Sequence, residues 1–195
     1  MLALIFAPMH SFTQFLNHIH PLSEAARSDF EQALQEKDYA PGATVSEAGR
    51  TCKHLFFMEQ GLVKLNFFKE DREFVMRFFA EGTVFTALDS FFQQQPSAYS
   101  LTTLEPSRIA SISHQNLELL CHQHHSLESA YRKLVSWATT NMMHRIMEML
   151  EDDGTERYEN FLGEHRHLVD RISLGDMAKY LGISQVSLSR IRARK

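Results

Sequence analysis

The spacing of apolar residues changes character several times along the chain. From about Ser11 to Lys37 it is helical: Ala26, Phe30, Ala33 and Leu34 share one face, and Ser23 is placed to cap the N-terminus of that helix. Between Tyr39 and Ile112 the apolar runs shorten, and turn residues separate them at Pro41-Gly42, Gly49, Gly61, Gly82 and Pro96. The runs are HLFFMEQG (54–61), LVKLNFF (62–68), FVMRFF (74–79), TVFTAL (83–88), YSLTTLE (99–105) and RIASI (108–112). Within the second, Val63, Leu65 and Phe67 alternate with Lys64 and Asn66, the period of two of a strand with one buried face. Short strands at this spacing predict a β-sandwich or barrel.

Helical spacing then returns. Ser113 caps a helix carrying Leu117, Leu119 and Leu120, and residues 126–150 contain neither Gly nor Pro. In that segment Tyr131, Val135, Ala138, Met142, Ile146 and Met149 follow one another at steps of three and four, forming one continuous stripe. A helix of roughly 24 residues runs about 36 Å, longer than one small barrel can cover. The stripe therefore points to a second copy of the chain; the alternative is packing wholly on its own barrel. EDDG (151–154) interrupts the helix, and Thr155 is the expected N-cap of the next, ERYENFL (156–162).

The last stretch, ISLGDMAKYLGISQVSLSRIRARK (172–195), carries the chemistry. Ser173 caps a helix from Leu174 to Leu181 that turns Met177, Ala178 and Leu181 inward. Ala178 is small enough for a second helix to cross closely. Gly182 supplies the left-handed residue of the turn, Ile183 fills the corner and Ser184 caps the second helix. That helix turns inward Val186 or Ser187, Leu188 and Ile191, and turns outward Gln185, Ser189, Arg190, Arg192 and Arg194. This is a helix-turn-helix. Gln pairs with adenine, Arg with guanine, and Ser with either a base edge or a phosphate. The expected DNA-contacting set is Ser184, Gln185, Ser187, Ser189, Arg190, Arg192, Arg194 and Lys195, with Arg192, Arg194 and Lys195 holding phosphates.

Charge supports this placement. The 195 residues carry a formal net charge of -4, yet residues 171–195 hold six basic side chains and one acid, or +5, leaving -9 on the rest. A cationic end on an acidic body is expected where one small module meets phosphate.

The order of parts and the segments PGATVSEAG (41–49), HLFFMEQGLVKL (54–65), FFAEGTVF (78–85) and LGISQVSLSRIRARK (181–195) resemble the Crp/Fnr family of transcription regulators. The likeness runs from about Phe12 nearly to the end. It implies an α+β fold in three parts: N-terminal helices and a cyclic-nucleotide-binding-like β-roll (a double-stranded β-helix) as sensor over 1–125, a long dimerisation helix over 126–152, and an all-α, winged-helix-like helix-turn-helix over 153–195. It also implies a homodimer on double-stranded DNA in the cytoplasm, with RNA polymerase as a further partner.

Two departures limit what carries over. Members that bind cyclic AMP hold it with a Gly-Glu-Leu turn and a downstream Arg-Ser pair. Here the turn reads Thr86-Ala87-Leu88 and the downstream segment Gln95-Pro96-Ser97-Ala98. The missing arginine removes a charge-assisted contact worth about 1.5–3 kcal/mol, so cyclic AMP is not expected as a tight ligand. The candidate pocket of Thr86, Ala87, Leu88, Ser97 and Ala98 is left with no assigned effector. In the recognition helix Val186 stands where the family often has Glu, which changes the bases that can be read.

Other chemistry is thinly supported. Cys52 and Cys121 have no metal-site or cluster spacing, and no cysteine precedes Cys52 to hold the iron–sulfur cluster of the oxygen-sensing branch. His18, His20, His122, His124 and His125 lack a completing ligand set and read as solvated, so no metal is expected. No catalytic constellation appears, and the chain is read as a non-enzyme without a membrane span. Met9 is a candidate alternative start to Met1. The second functional reading is a ligand-sensing or protein-interaction module without direct DNA readout.

Overall fold

The computed structural model describes residues 11–194; the question of Met1 against Met9, and the side chain of Lys195, lie outside them. Two helices, α1 (Phe12–Ile19) and α2 (Glu24–Ala33), precede eight strands: β1 (Gln35–Tyr39), β2 (Thr44–Ser46), β3 (His54–Gln60), β4 (Val63–Lys69), β5 (Arg72–Phe79), β6 (Val84–Phe85), β7 (Ser100–Thr103) and β8 (Ser107–Ser113). A short helix, α3 (Leu88–Phe91), interrupts the strands, and five longer ones follow them, beginning with α4 (His114–Gln123), α5 (His125–Glu151), α6 (Gly154–His165) and α7 (Leu174–Leu181). The last is α8 (Gln185–Ala193).

The strands form two open antiparallel sheets, ordered β1-β8-β3-β6 and β2-β7-β4-β5. Their facing sides enclose Cys52, Phe56, Met58, Val63, Phe85, Ala87, Leu101 and Ile109. A second core lies where α1, α2, α4 and the start of α5 cover the first sheet. There Phe12 stacks on Phe57 at 5.4 Å between ring centres and meets Phe30 edge-on at 5.2 Å. The expected β-roll, long helix and strand-free C-terminal helices are all present, and the described C-terminal part carries no wing strands.

Three local expectations are corrected. The N-terminal helical texture ends at Ala33, because Gln35–Tyr39 pairs with β8 as a strand. The run 83–88 gives only a two-residue strand before the chain turns into α3. The cap of α6 is Asp153, not Thr155: its carboxylate accepts the N–H groups of Thr155 and Glu156, and the Glu156 side chain returns a bond to the Asp153 N–H. An acid satisfies two orphan donors there and complements the positive end of the helix.

Glycine is required where the roll meets the C-terminal helices. Gly61 has φ +108°, and a Cβ there would lie 2.3 Å from Ser107 Oγ. Its N–H donates to Glu81 Oε1 at 2.8 Å and its carbonyl accepts from Arg171 at 3.1 Å.

Candidate nucleic-acid interface

The helix-turn-helix forms as its caps dictate. Ser173 Oγ accepts the Asp176 N–H and Ser184 Oγ the Ser187 N–H, while Gly182 closes α7 at φ +70°. Met177, Ala178 and Leu181 are buried with Leu188, Tyr158, Phe161, Leu168 and Ile172. Ile183 fits the corner because Gly154 faces it: a Cβ on Gly154 would come within 2.7 Å of Ile183 Cγ2.

This head is docked on the roll. Leu62 and Ala80 of the roll enter its core, and Phe78 packs against Tyr180 and Phe161. Lys64 bridges Glu73 at 2.7 Å and Asp176 at 2.8 Å, and Lys179 also reaches Glu73. Arg171 binds Glu81 at 2.8 Å and Glu105 at 2.5 Å. Burial works to raise the Glu73 and Asp176 carboxyls, but the lysine bonds outweigh it and hold both below their ordinary range. For Lys64 burial pulls down, and the bonds to Asp176 and Glu73 more than restore it. The bonds to Glu81 and Glu105 push the Arg171 guanidinium up.

The long helix is fastened to the same head. Arg145 of α5 donates to the Tyr180 carbonyl at 2.6 Å and lies 3.9 Å over the Tyr180 ring. Arg157 donates to the Leu181 carbonyl at 2.9 Å, so two arginines occupy orphan acceptors at the end of α7. Arg77 of β5 reaches the Asn141 carbonyl of α5 at 3.4 Å.

The outward set divides. Ser184, Gln185, Ser187, Ser189, Arg190 and Arg194 are exposed. Neither Val186 nor Ser187 turns inward: Val186 is 61% exposed and Leu188 is the buried residue of α8. Arg192 is half-buried over the Tyr158 ring at 5.7 Å, with Nε and one terminal nitrogen enclosed. The basic end is thus less available than its charge count predicts, since Arg171 and Lys179 are spent on the roll.

The predicted dimer stripe also divides. Tyr131, Val135 and Ala138 are partly covered, and Leu127, Ala130 and Leu134 beside them are buried on the roll. Met142, Ile146 and Met149 are exposed, together with Met143, Met147 and Leu150.

The candidate pocket residues are engaged internally. Thr86 is buried, donates to the His54 carbonyl at 2.9 Å and touches Cys52 Sγ at 3.3 Å. Ala87 is buried, and Leu88 opens α3. Ser97 and the exposed Ala98 both donate to Asp89, which the sequence reading did not single out. A cleft of about 560 Å³ lies nearby, lined by Thr44–Glu47, Arg50–His54 and Phe56. Of the histidines read as solvated, His124 is half-buried against Asp29 at 2.8 Å and His20 meets Lys133 at 3.1 Å. Among the described residues no group of acids, histidines and cysteines is placed to hold a metal ion, and no helix is long and apolar enough to cross a membrane.

Comparison with known proteins agrees with this architecture. Residues 36–124 match the cyclic nucleotide-binding domain family. A search of curated proteins gave no match. Among solved structures, FixK2 from Bradyrhizobium japonicum is similar with a TM-score of 0.70 at 17% identity, covering 83% of each chain. CLP from Xanthomonas campestris, a regulator described as responsive to c-di-GMP, gives 0.65 at 18% identity over 88% of this chain and 91% of that one. A Eubacterium rectale protein assigned to the Crp/Fnr family of transcriptional regulators gives 0.70 at 13% identity over 89% and 83%. The fold is therefore the one these solved structures share: a domain that matches the cyclic nucleotide-binding family, followed by a long helix and a helix-turn-helix.

Proposed function

We propose that the chain is a homodimeric, sequence-specific DNA-binding transcription regulator. The observation that carries this reading is α8: Leu188 anchors one side in the core while Gln185, Ser189 and Arg190 stand free on the other. A helix so presented fits the major groove, where Gln and Arg make paired contacts with base edges. Ser184, Ser187, Arg194 and Lys195 flank it as phosphate contacts, and Arg192 joins them by leaving the Tyr158 ring. The similar solved structures described as regulators support the same role.

The bare apolar half of α5 is the proposed dimer surface. Met142, Met143, Ile146, Met147, Met149 and Leu150 form an unbroken exposed ridge of the kind that marks an interface. Two such chains place their recognition helices about 34 Å apart on a near-palindromic site. Arg145, with its bond to the Tyr180 carbonyl, makes a tilt of the long helix move the head with it.

Two measurements test this. Gel shifts with genomic fragments should show binding that weakens steeply with salt; salt-independent or absent binding favours a protein-interaction module instead. Met142→Lys should leave monomers in sedimentation, and persistent dimers would count against the α5 ridge.

A further inference from the structure

The 95–99 loop holds an anion that belongs to the protein itself. Asp89 accepts the Ser97 hydroxyl, at 3.0 Å to Oδ1 and 3.2 Å to Oδ2, and the Ala98 N–H at 3.1 Å. The Ser97 hydroxyl also accepts the Tyr99 N–H at 2.9 Å, so its single proton is left for the carboxylate. Ser97 is 3% exposed, and its backbone is fixed from both sides: its N–H donates to the Arg50 carbonyl at 3.0 Å, and its carbonyl accepts the Gly49 N–H at 2.8 Å. At the other end Ser90 accepts the Cys52 N–H at 2.8 Å and donates to the Gln95 carbonyl. Among the described residues no cation pairs with Asp89. Neutral, preset donors alone hold its charge.

A hydroxyl and a backbone N–H converging on one point are what a phosphate oxygen needs. We propose that this loop is an anion seat filled by Asp89, and that Asp89 is the residue that makes the β-roll refuse phosphate-bearing ligands. An incoming phosphate meets donors already in use and a like charge at contact distance. The inference is independent of DNA reading, because it concerns only the roll.

The test uses the full chain. Melting temperature is followed against sodium sulfate, inorganic phosphate and cyclic AMP, with sodium chloride at matched ionic strength. Wild type should show only the gradual, non-saturating stabilisation that excluded sulfate and phosphate give any folded chain. Asp89→Gly should gain saturable sulfate or phosphate binding at least about tenfold tighter than wild type, the effect of removing a like charge at close range. Asp89→Asn keeps one acceptor oxygen and loses the charge, so it should gain less, and it tests the idea without emptying the loop. Saturable anion binding by wild type that moves the Ala98 and Tyr99 amide resonances, or no gain in either variant, overturns the proposal. If Asp89→Gly does not fold, the Ala98 and Tyr99 amide resonances of wild type decide: they should stay fixed as sulfate is added, and movement overturns it.

Discussion

Helices α7 and α8 are neighbours of nearly equal length, yet they do opposite things with their side chains. α7 buries Met177, Ala178 and Leu181, and Asp176 and Lys179 bond to the roll. α8 buries only Leu188 and leaves Gln185, Val186, Ser189 and Arg190 in solvent. The contrast shows that charge counted along a sequence is an upper bound on charge offered to a partner. α7 is the mount and α8 the exposed edge, and substitutions should separate them.

The largest effect should come from the shared core. Leu181→Ala should cost about 2–5 kcal/mol in chemical denaturation and abolish any DNA binding with it. Glu73→Ala removes the carboxylate that Lys64 and Lys179 share, leaving Lys64 on Asp176 alone, and should cost about 2 kcal/mol while leaving α8 folded, which a melting curve and the helical signal together would report. The same face sets a pH dependence. The Glu73 and Asp176 carboxyls are held below 4.5 and 3.8, so their contribution is present above those values and lost as pH falls through the lower folded ones. Lys64 is held above 10.5, so its contribution is full below that value and fades as pH rises past the folded one. Wild type should therefore loosen in acid below about pH 4, and Glu73→Ala should show a shallower acid limb in a melting-temperature profile. The smallest effect should be Ser184→Ala, about 1 kcal/mol from the lost cap of α8, read by hydrogen exchange confined to that helix.

Much of this arrangement was legible in the sequence because it is local. Ser173, Gly182 and Ser184 specify the two helices through hydroxyl caps and one left-handed residue, and α5 was marked by an uninterrupted stripe. What escaped depends on distant partners or on polarity. β1 reads Gln-Glu-Lys-Asp-Tyr, a mostly exposed edge strand with no apolar period, so only its pairing with β8 defines it. Lys179 and Arg171 counted toward the cationic end because their partners Glu73, Glu81 and Glu105 stand far away in the chain. The choice between Val186 and Ser187 as an inward residue was open because a nine-residue helix gives too few turns to fix its phase; the structure turns both outward. Asp89 carried no sequence signal, since a lone carboxylate in a loop looks solvated until its donors are seen.

The central claim is that α8 reads base edges. Selection from random duplexes, followed by anisotropy on the selected and a scrambled site, tests it for wild type and Arg190→Ala. Wild type should select a near-palindrome with half-sites about one helical turn apart, and Arg190→Ala should lose about 1–3 kcal/mol on the selected site and little on the scrambled one. Selection that returns no shared sequence, or an Arg190→Ala chain with unchanged preference, would contradict it.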